Sequence, residues 1–365
     1  MATFEMNNIR KDADYNTKIK KNSPIVEVFS AMVNGESLER FGKKGDKAVK
    51  YIKMLGQYAE NGNATAISEL NAIRRFVVEA PIMEEMKMLS IFGTYENVAF
   101  DETVEREVYD YAGEGSRMQA TNGDPIYTTL KKTVYPVQTF TISGGIANDY
   151  RRIQLGDMSR ENQLMAQIKT DILNSAKAEI VKRIYKAIKD ATGVKYTFEG
   201  SGLTKAGVDG VINKVRRNGR PTVIGDYALI SQFTPWAGYV GSVNGNTITG
   251  VSDDIVNQLA ATGALAMYNG AILSEMENPY NRFKMNADGD NFETIMPIGL
   301  GYVIPTGVTS PIATFTRGGL TTFSGNDVKT GQVLTRFDIE VGCDIAKGHE
   351  HEIGVIYDTA LGGIN

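Results

Sequence analysis

The chain has 365 residues, 42% of them hydrophobic and 22% charged, a composition that supports a sizeable core and excludes wholesale disorder. Its formal charge of −4 excludes a chain that is basic throughout and grips nucleic acid everywhere. The single cysteine, Cys343, excludes an internal disulfide and a cysteine-cluster zinc site.

Residues 1–12 carry Glu5, Arg10, Lys11 and Asp12 and no apolar run, so no secretory signal is expected. Residues 1–53 hold eleven Lys/Arg against seven acids, a local charge of +4 that leaves −8 on the remainder. Lys18, Lys20, Lys21, Lys43, Lys44 and Lys47 are the candidates here for a basic arm facing a genome or a neighbouring subunit; a solvated helical face is the plainer reading. Ile25, Val26, Phe29 and Met32 recur at helical spacing after Ser23 and Pro24, a second helical pattern runs from Leu38 to Tyr58, and a third from Ala64 to Val78, which Pro81 is expected to end. The polar, Gly-containing breaks between them suit an extended arm more than a bundle.

Thr103–Tyr111 and Ile126–Ile142 read as strands joined by the turn-rich tip Ala112–Pro125. Neither face of the first strand is apolar by alternation. The second, taken whole, would span roughly 56 Å at ~3.3 Å per residue. A thin two-stranded ribbon is marginal in water by itself, so it should be ordered by other copies of the chain. Tyr109, Tyr111, Arg117, Met118, Tyr127, Lys131, Lys132 and Tyr135 are its candidate contact residues.

Ser159–Ala191 reads as one long helix: Ser159 suits an N-cap, Gly193 lies past the end, and Leu164, Ile168, Ile172, Ala176, Ile180, Ile184 and Ile188 repeat every four residues. Such a one-sided beam of roughly 50 Å belongs against a sheet. Just before it, Gly144 and Gly145 suggest a bend. Short units follow: a helix over Lys205–Arg217, a strand over Pro221–Gly225, helices around Tyr227–Phe233 and Ser252–Ala261, and a strand over Ala271–Leu273, together a compact α/β module. From Phe292 onward five or six strands are expected, including Gly331–Val341 and Glu352–Tyr357. The uncharged stretch Thr294–Thr316 is broken by Pro297, Pro305 and Pro311 and reads as strands and turns, not as a membrane span.

Chemistry is sparse. His349 and His351, two apart, would share one side of a strand and could hold a cation with Asp344; a polar turn is the favoured reading. No phosphate loop, nucleophile elbow or HExxH pattern occurs, and both histidines sit at one end of the chain. No cofactor, metal or catalytic residue is assigned. Trp236 reads as a packing anchor or an interface residue.

This order of parts resembles the major capsid protein of tailed phages, the Hong Kong 97-like fold. The resemblance implies an α+β capsid fold with an N-terminal helical arm leading into the peripheral domain (1–98), an extended E-loop β-hairpin (99–146), a peripheral domain with a long spine helix (147–193), an α/β axial domain (194–291) and closing strands of the peripheral and axial domains, mainly in the peripheral sheet (292–365). It further implies a non-enzymatic, homo-oligomeric subunit of pentamers and hexamers, without a membrane. Such subunits form an icosahedral virion shell in the host cytoplasm around double-stranded DNA bound without sequence specificity, with scaffold, portal and decoration proteins as further partners. The E-loop would lie over a neighbour, and Trp236, Tyr239 and Asn244 would mark a loop at the capsomer centre. The full-length arm is expected to be retained, and Lys131 and Lys132 sit in no motif for covalent crosslinking. An encapsulin-like compartment and a soluble metal-dependent α/β enzyme are the alternatives.

Overall fold

A computed structural model of the chain describes residues 23–33, 36, 38–61, 63–87, 92–112, 116, 118, 121, 123–124, 126–149, 158–236, 239–243, 246–250, 264–286, 289–327, 329–330 and 332–362. The first three α-helices among the described residues are α1 (Pro24–Val33), α2 (Lys43–Glu60) and α3 (Ala64–Lys87). They do not extend as an arm. Val26 and Phe29, Ile52 and Leu55, and Leu70, Ile73 and Val77 form one shared core that also takes in Val333. A helix of ten residues is marginal alone, so burying the apolar stripe of α1 against α2 and α3 is what stabilises it. Pro81 does not end α3 either. An interior proline costs about 3 kcal/mol through its missing N–H and its ring, but Ile82 and Met86 in the next turn are fully buried in the main core and hold the helical path.

Strand β1 (Thr94–Val98) leads to a protruding hairpin of β2 (Glu105–Ala112) and β3 (Thr129–Pro136), and then to β4 (Thr139–Asp149). The long second strand expected from the sequence is thus two strands, divided after Pro136: β3 pairs only with β2, whereas β4 joins the body. The spine helix α4 (Met158–Asp190) starts one residue before the expected cap, so Ser159 lies inside its first turn. Along it Ile168, Ile172, Ala176, Ile180, Ile184 and Ile188 are buried, as their four-residue repeat predicts, while Leu164 at the start of the repeat is half-buried beside the buried Met165.

The remaining elements are β5 (Tyr196–Gly200), α5 (Lys205–Val215), β6 (Arg220–Gly225), α6 (Tyr227–Ser231), a ribbon of β7 (Tyr239–Val243) and β8 (Asn246–Gly250), β9 (Met267–Tyr268) and β10 (Ala271–Glu275). A second ribbon of β11 (Tyr280–Met285) and β12 (Phe292–Thr294) follows, then β13 (Leu300–Thr306), β14 (Ile312–Asp327), β15 (Gln332–Ile345) and β16 (Gly354–Asp358). The expected helix at Ser252–Ala261 lies outside the described residues.

Two sheets organise the body. The first, in the order β1-β14-β15-β4, carries α4 across it. Gly144 is a contact point there and not a bend: a Cβ on it would lie 2.5 Å from Ile168 Cδ1, so only glycine lets the helix approach this closely. The second, in the order β5-β16-β13-β6-β10-β9, packs Val208, Val211, Ile212 and Val215 of α5 against Val223, Val303 and Ile356. Thr204 caps α5 by accepting from the Gly207 N–H, and Asp226 caps α6 by accepting from the Ala228 N–H at 2.8 Å. Residues 292–362 divide between the two sheets, with the long strands β14 and β15 in the first and the shorter β13 and β16 completing the second. No helix among the described residues is long and apolar enough to cross a membrane.

Candidate functional site

The pairing of β2 with β3 sorts the hairpin's side chains onto two faces. Opposed residues share a face, so Arg106/Tyr135, Val108/Thr133 and Asp110/Lys131 form one, and Glu107/Val134, Tyr109/Lys132 and Tyr111/Leu130 form the other. The first face is docked at its root. Val108 and Tyr135 are buried with Ala346, while Val104 is buried with Ala313 and Phe315. The expectation that other copies of the chain order the ribbon is therefore incomplete at the root, because alternation within one strand cannot reveal the sheet beneath it.

Polar groups lock that root. Arg106 donates from Nη1 to the Asp344 carbonyl at 2.8 Å and from Nη2 to the Pro311 carbonyl, and its Nη1 lies 3.5 Å from the Asp344 carboxylate. The Tyr135 hydroxyl donates to Asp344 Oδ2 at 2.7 Å and accepts from the Lys347 N–H at 3.2 Å, with the Lys347 ammonium 4.2 Å from its ring centre. Burial, and then the bond to Asp344, push the Tyr135 hydroxyl up to about 12. Burial also raises the Asp344 carboxyl, with Tyr135, Arg106 and Lys347 opposing that rise. Burial pushes the neighbouring Cys343 thiol up to about 12.

The outward face differs in kind. Val134, Tyr109, Tyr111 and Leu130 are all exposed, and Tyr111 is 81% exposed. Between them Lys132 bonds Glu107 at 2.6 Å, and the Tyr109 hydroxyl donates to the same carboxylate at 3.0 Å. The Lys132 bond, then the Tyr109 bond, lower the Glu107 carboxyl; Glu107 in turn raises the Lys132 ammonium. Six of the nineteen exposed large hydrophobics among the described residues lie on this hairpin and its tip.

A family model described as "SPbeta prophage-derived putative capsid protein YonB" matches residues 5–357. The chain belongs to that capsid protein family. No curated protein gives a match. Among solved structures, the capsid protein is similar to a virus-like particle chain from Pyrococcus furiosus, at 9% identity and TM-score 0.44, over 76% of this chain and 97% of that one. A chain of Gordonia phage Cozz aligns at 9% identity and TM-score 0.48, over 74% and 86% of the two chains. The mature capsid of bacteriophage PhiM1 aligns at 12% identity and TM-score 0.42, over 73% and 85%. These are distant likenesses, and membership of the family rests on the match along nearly the whole sequence.

The capsid protein's predicted contact residues divide by face and depth. Tyr109, Tyr111 and Lys132 stand on the outward face, and Met118 and Tyr127 at the tip are fully and 83% exposed. Lys131 is exposed but on the other face, opposite Asp110. Tyr135 corrects the prediction: only 9% exposed, it is an anchor inside its own chain and not a contact group. Lys43, Lys44 and Lys47 are exposed on α2. Trp236 is half-buried and meets Phe233 edge-on and Tyr268 at a tilt, with ring centres 5.5 and 5.7 Å away, so it packs within its own subunit. Tyr239 begins β7; Arg117, Asn244, Lys18, Lys20 and Lys21 lie outside the described residues.

His349 and His351 do not lie on a strand. They flank and enter a short 3-10 turn, with rings stacked 6.4 Å apart. Both His349 ring nitrogens face carboxylates, Nδ1 toward Glu352 at 2.7 Å and Nε2 toward Asp110 at 2.9 Å, an arrangement for an ion pair and not for a shared cation. Sequence reasoning missed Arg106, Asp110, Val134 and Leu130. The alternation of β2 and β3 was the available signal for them, but the pairing register was needed to assign faces.

Proposed function

We propose that this capsid family member is a non-enzymatic major shell subunit of the Hong Kong 97 type. Copies assemble as pentamers and hexamers into an icosahedral shell around double-stranded DNA, in the cytoplasm of the host. The observation that carries the reading is the contrast between the hairpin's two faces: a root locked by Arg106, Tyr135 and Asp344, and an outward face of Tyr109, Tyr111, Leu130 and Val134 left in water. Apolar area removed from water stabilises by about 25 cal/mol per Å², so the exposed face gains most by seating on another copy. Each such contact is modest, and repetition around a closed assembly makes it strong. The negative remainder of the chain suits DNA confined by the wall, with contact limited to the basic N-terminal residues.

Deleting residues 112–125 should abolish particles in electron micrographs while the subunit's circular dichroism spectrum stays essentially unchanged. Replacing Tyr111 and Leu130 together by Ser should reduce particle yield at least tenfold without lowering the melting temperature. Normal shells from both variants would remove the hairpin from the assembly interface.

A further inference from the structure

The hairpin's docked face holds a second set of groups, beyond its root, that neither the core nor the outward face requires. Asp110 lies near the free end of β2, yet its carboxylate reaches His349, which belongs to the turn following β15. That imidazole also bonds Glu352, so a single ring joins the hairpin to the body. Only a doubly protonated ring donates through both nitrogens; a neutral ring keeps one donor and turns a lone pair toward the other carboxylate.

We propose that His349 is a proton-operated clasp that sets how firmly the hairpin is held against the body. With the proton present, imidazolium bridges Asp110 and Glu352 and the hairpin is held along its length. Without it, one N–H remains; the shorter bond, to Glu352 in the ring's own turn, keeps that hydrogen on Nδ1, the Nε2 lone pair faces the Asp110 carboxylate, and the hairpin is held only below that point, through Arg106, Val108 and Tyr135. Burial opposes the charged ring, but the bonds to Glu352 and Asp110 and their charges outweigh it, so His349 binds its proton more tightly than a free histidine. The sign follows: restraint is complete below a free histidine's value of about 6.5 and is lost as pH rises through the higher folded value. Other charged groups lie nearby along the chain or across the strand pairing. Glu350 and His351 share its turn, and Lys347 and Asp344 precede it. Arg106 and Lys131 come from the hairpin, Lys131 opposite Asp110 in register. None of them replaces the ring's bridge between Asp110 and Glu352.

A nitroxide attached at Thr129→Cys in a Cys343→Ala background, on unassembled subunits of the full chain, reports hairpin mobility. Because no shell is needed, the result stands apart from the proposed assembly. From about pH 5.5 to about pH 9 the label should pass from restrained to mobile in a one-proton transition with its midpoint above ~6.5. His349→Gln and Asp110→Asn should be mobile throughout, with unchanged circular dichroism. His349→Arg, whose fork stays charged and can span two carboxylates, should be restrained throughout. Wild-type mobility that ignores pH, a Gln variant that follows the wild-type curve, or an Arg variant as mobile as Gln would overturn the clasp.

Discussion

Tyr135 shows how much one hydroxyl can decide. Its ring fills the small core beneath the hairpin, while its oxygen joins Asp344 to the Lys347 amide. Tyr135→Phe keeps the ring but leaves a half-buried carboxylate and an amide each short of a partner. The loss should be about 1–3 kcal/mol of unfolding free energy in denaturant titration, whereas an unchanged midpoint would show that water replaces the hydroxyl freely. Nothing in its sequence neighbourhood separates Tyr135 from Tyr109 or Tyr111. All three sit on alternating, mixed-polarity strands, and only the partner sheet makes one an anchor and the others surface.

At the scale of elements, periodicity predicts best where one element buries one face along its length. The repeat of α4 is such a case, and its buried positions follow the predicted stripe. Ile180 is fully buried at mid-helix, so Ile180→Ala should cost about 2–5 kcal/mol in thermal or chemical unfolding; a cost below 1 would mean that the helix does not bear on the sheet as described. Pro81 is the converse. Local rules end α3 there, but the burial of Ile82 and Met86 overrides them. The hairpin lies between these cases, since its turn-rich tip and flanking strands are visible in sequence while the division of the second strand after Pro136 is not. That division depends on β4 finding β15, a partner nearly two hundred residues away.

For the molecule as a whole, charge is unevenly placed, and the basic excess near the start reaches α2, where Lys43, Lys44 and Lys47 point into solvent. Replacing all three by Gln should leave stability within about 0.5 kcal/mol, as for exposed positions generally, and should lower the nucleic-acid content of purified particles, read from the 260/280 nm absorbance ratio. Unchanged content would assign those lysines to solvation alone.

From the sequence alone came the described helices, most of the described strands and the ribbon with its polar tip, because each rests on spacing within a short stretch of chain, while the likeness to phage capsid subunits came from the order of those parts along nearly the whole sequence. Tertiary structure decided which strands share a sheet, that the first three helices cluster, which hairpin face is docked, and that His349 meets Asp110. These depend on residues far apart along the chain, and the free energy of their meeting is written in neither segment separately.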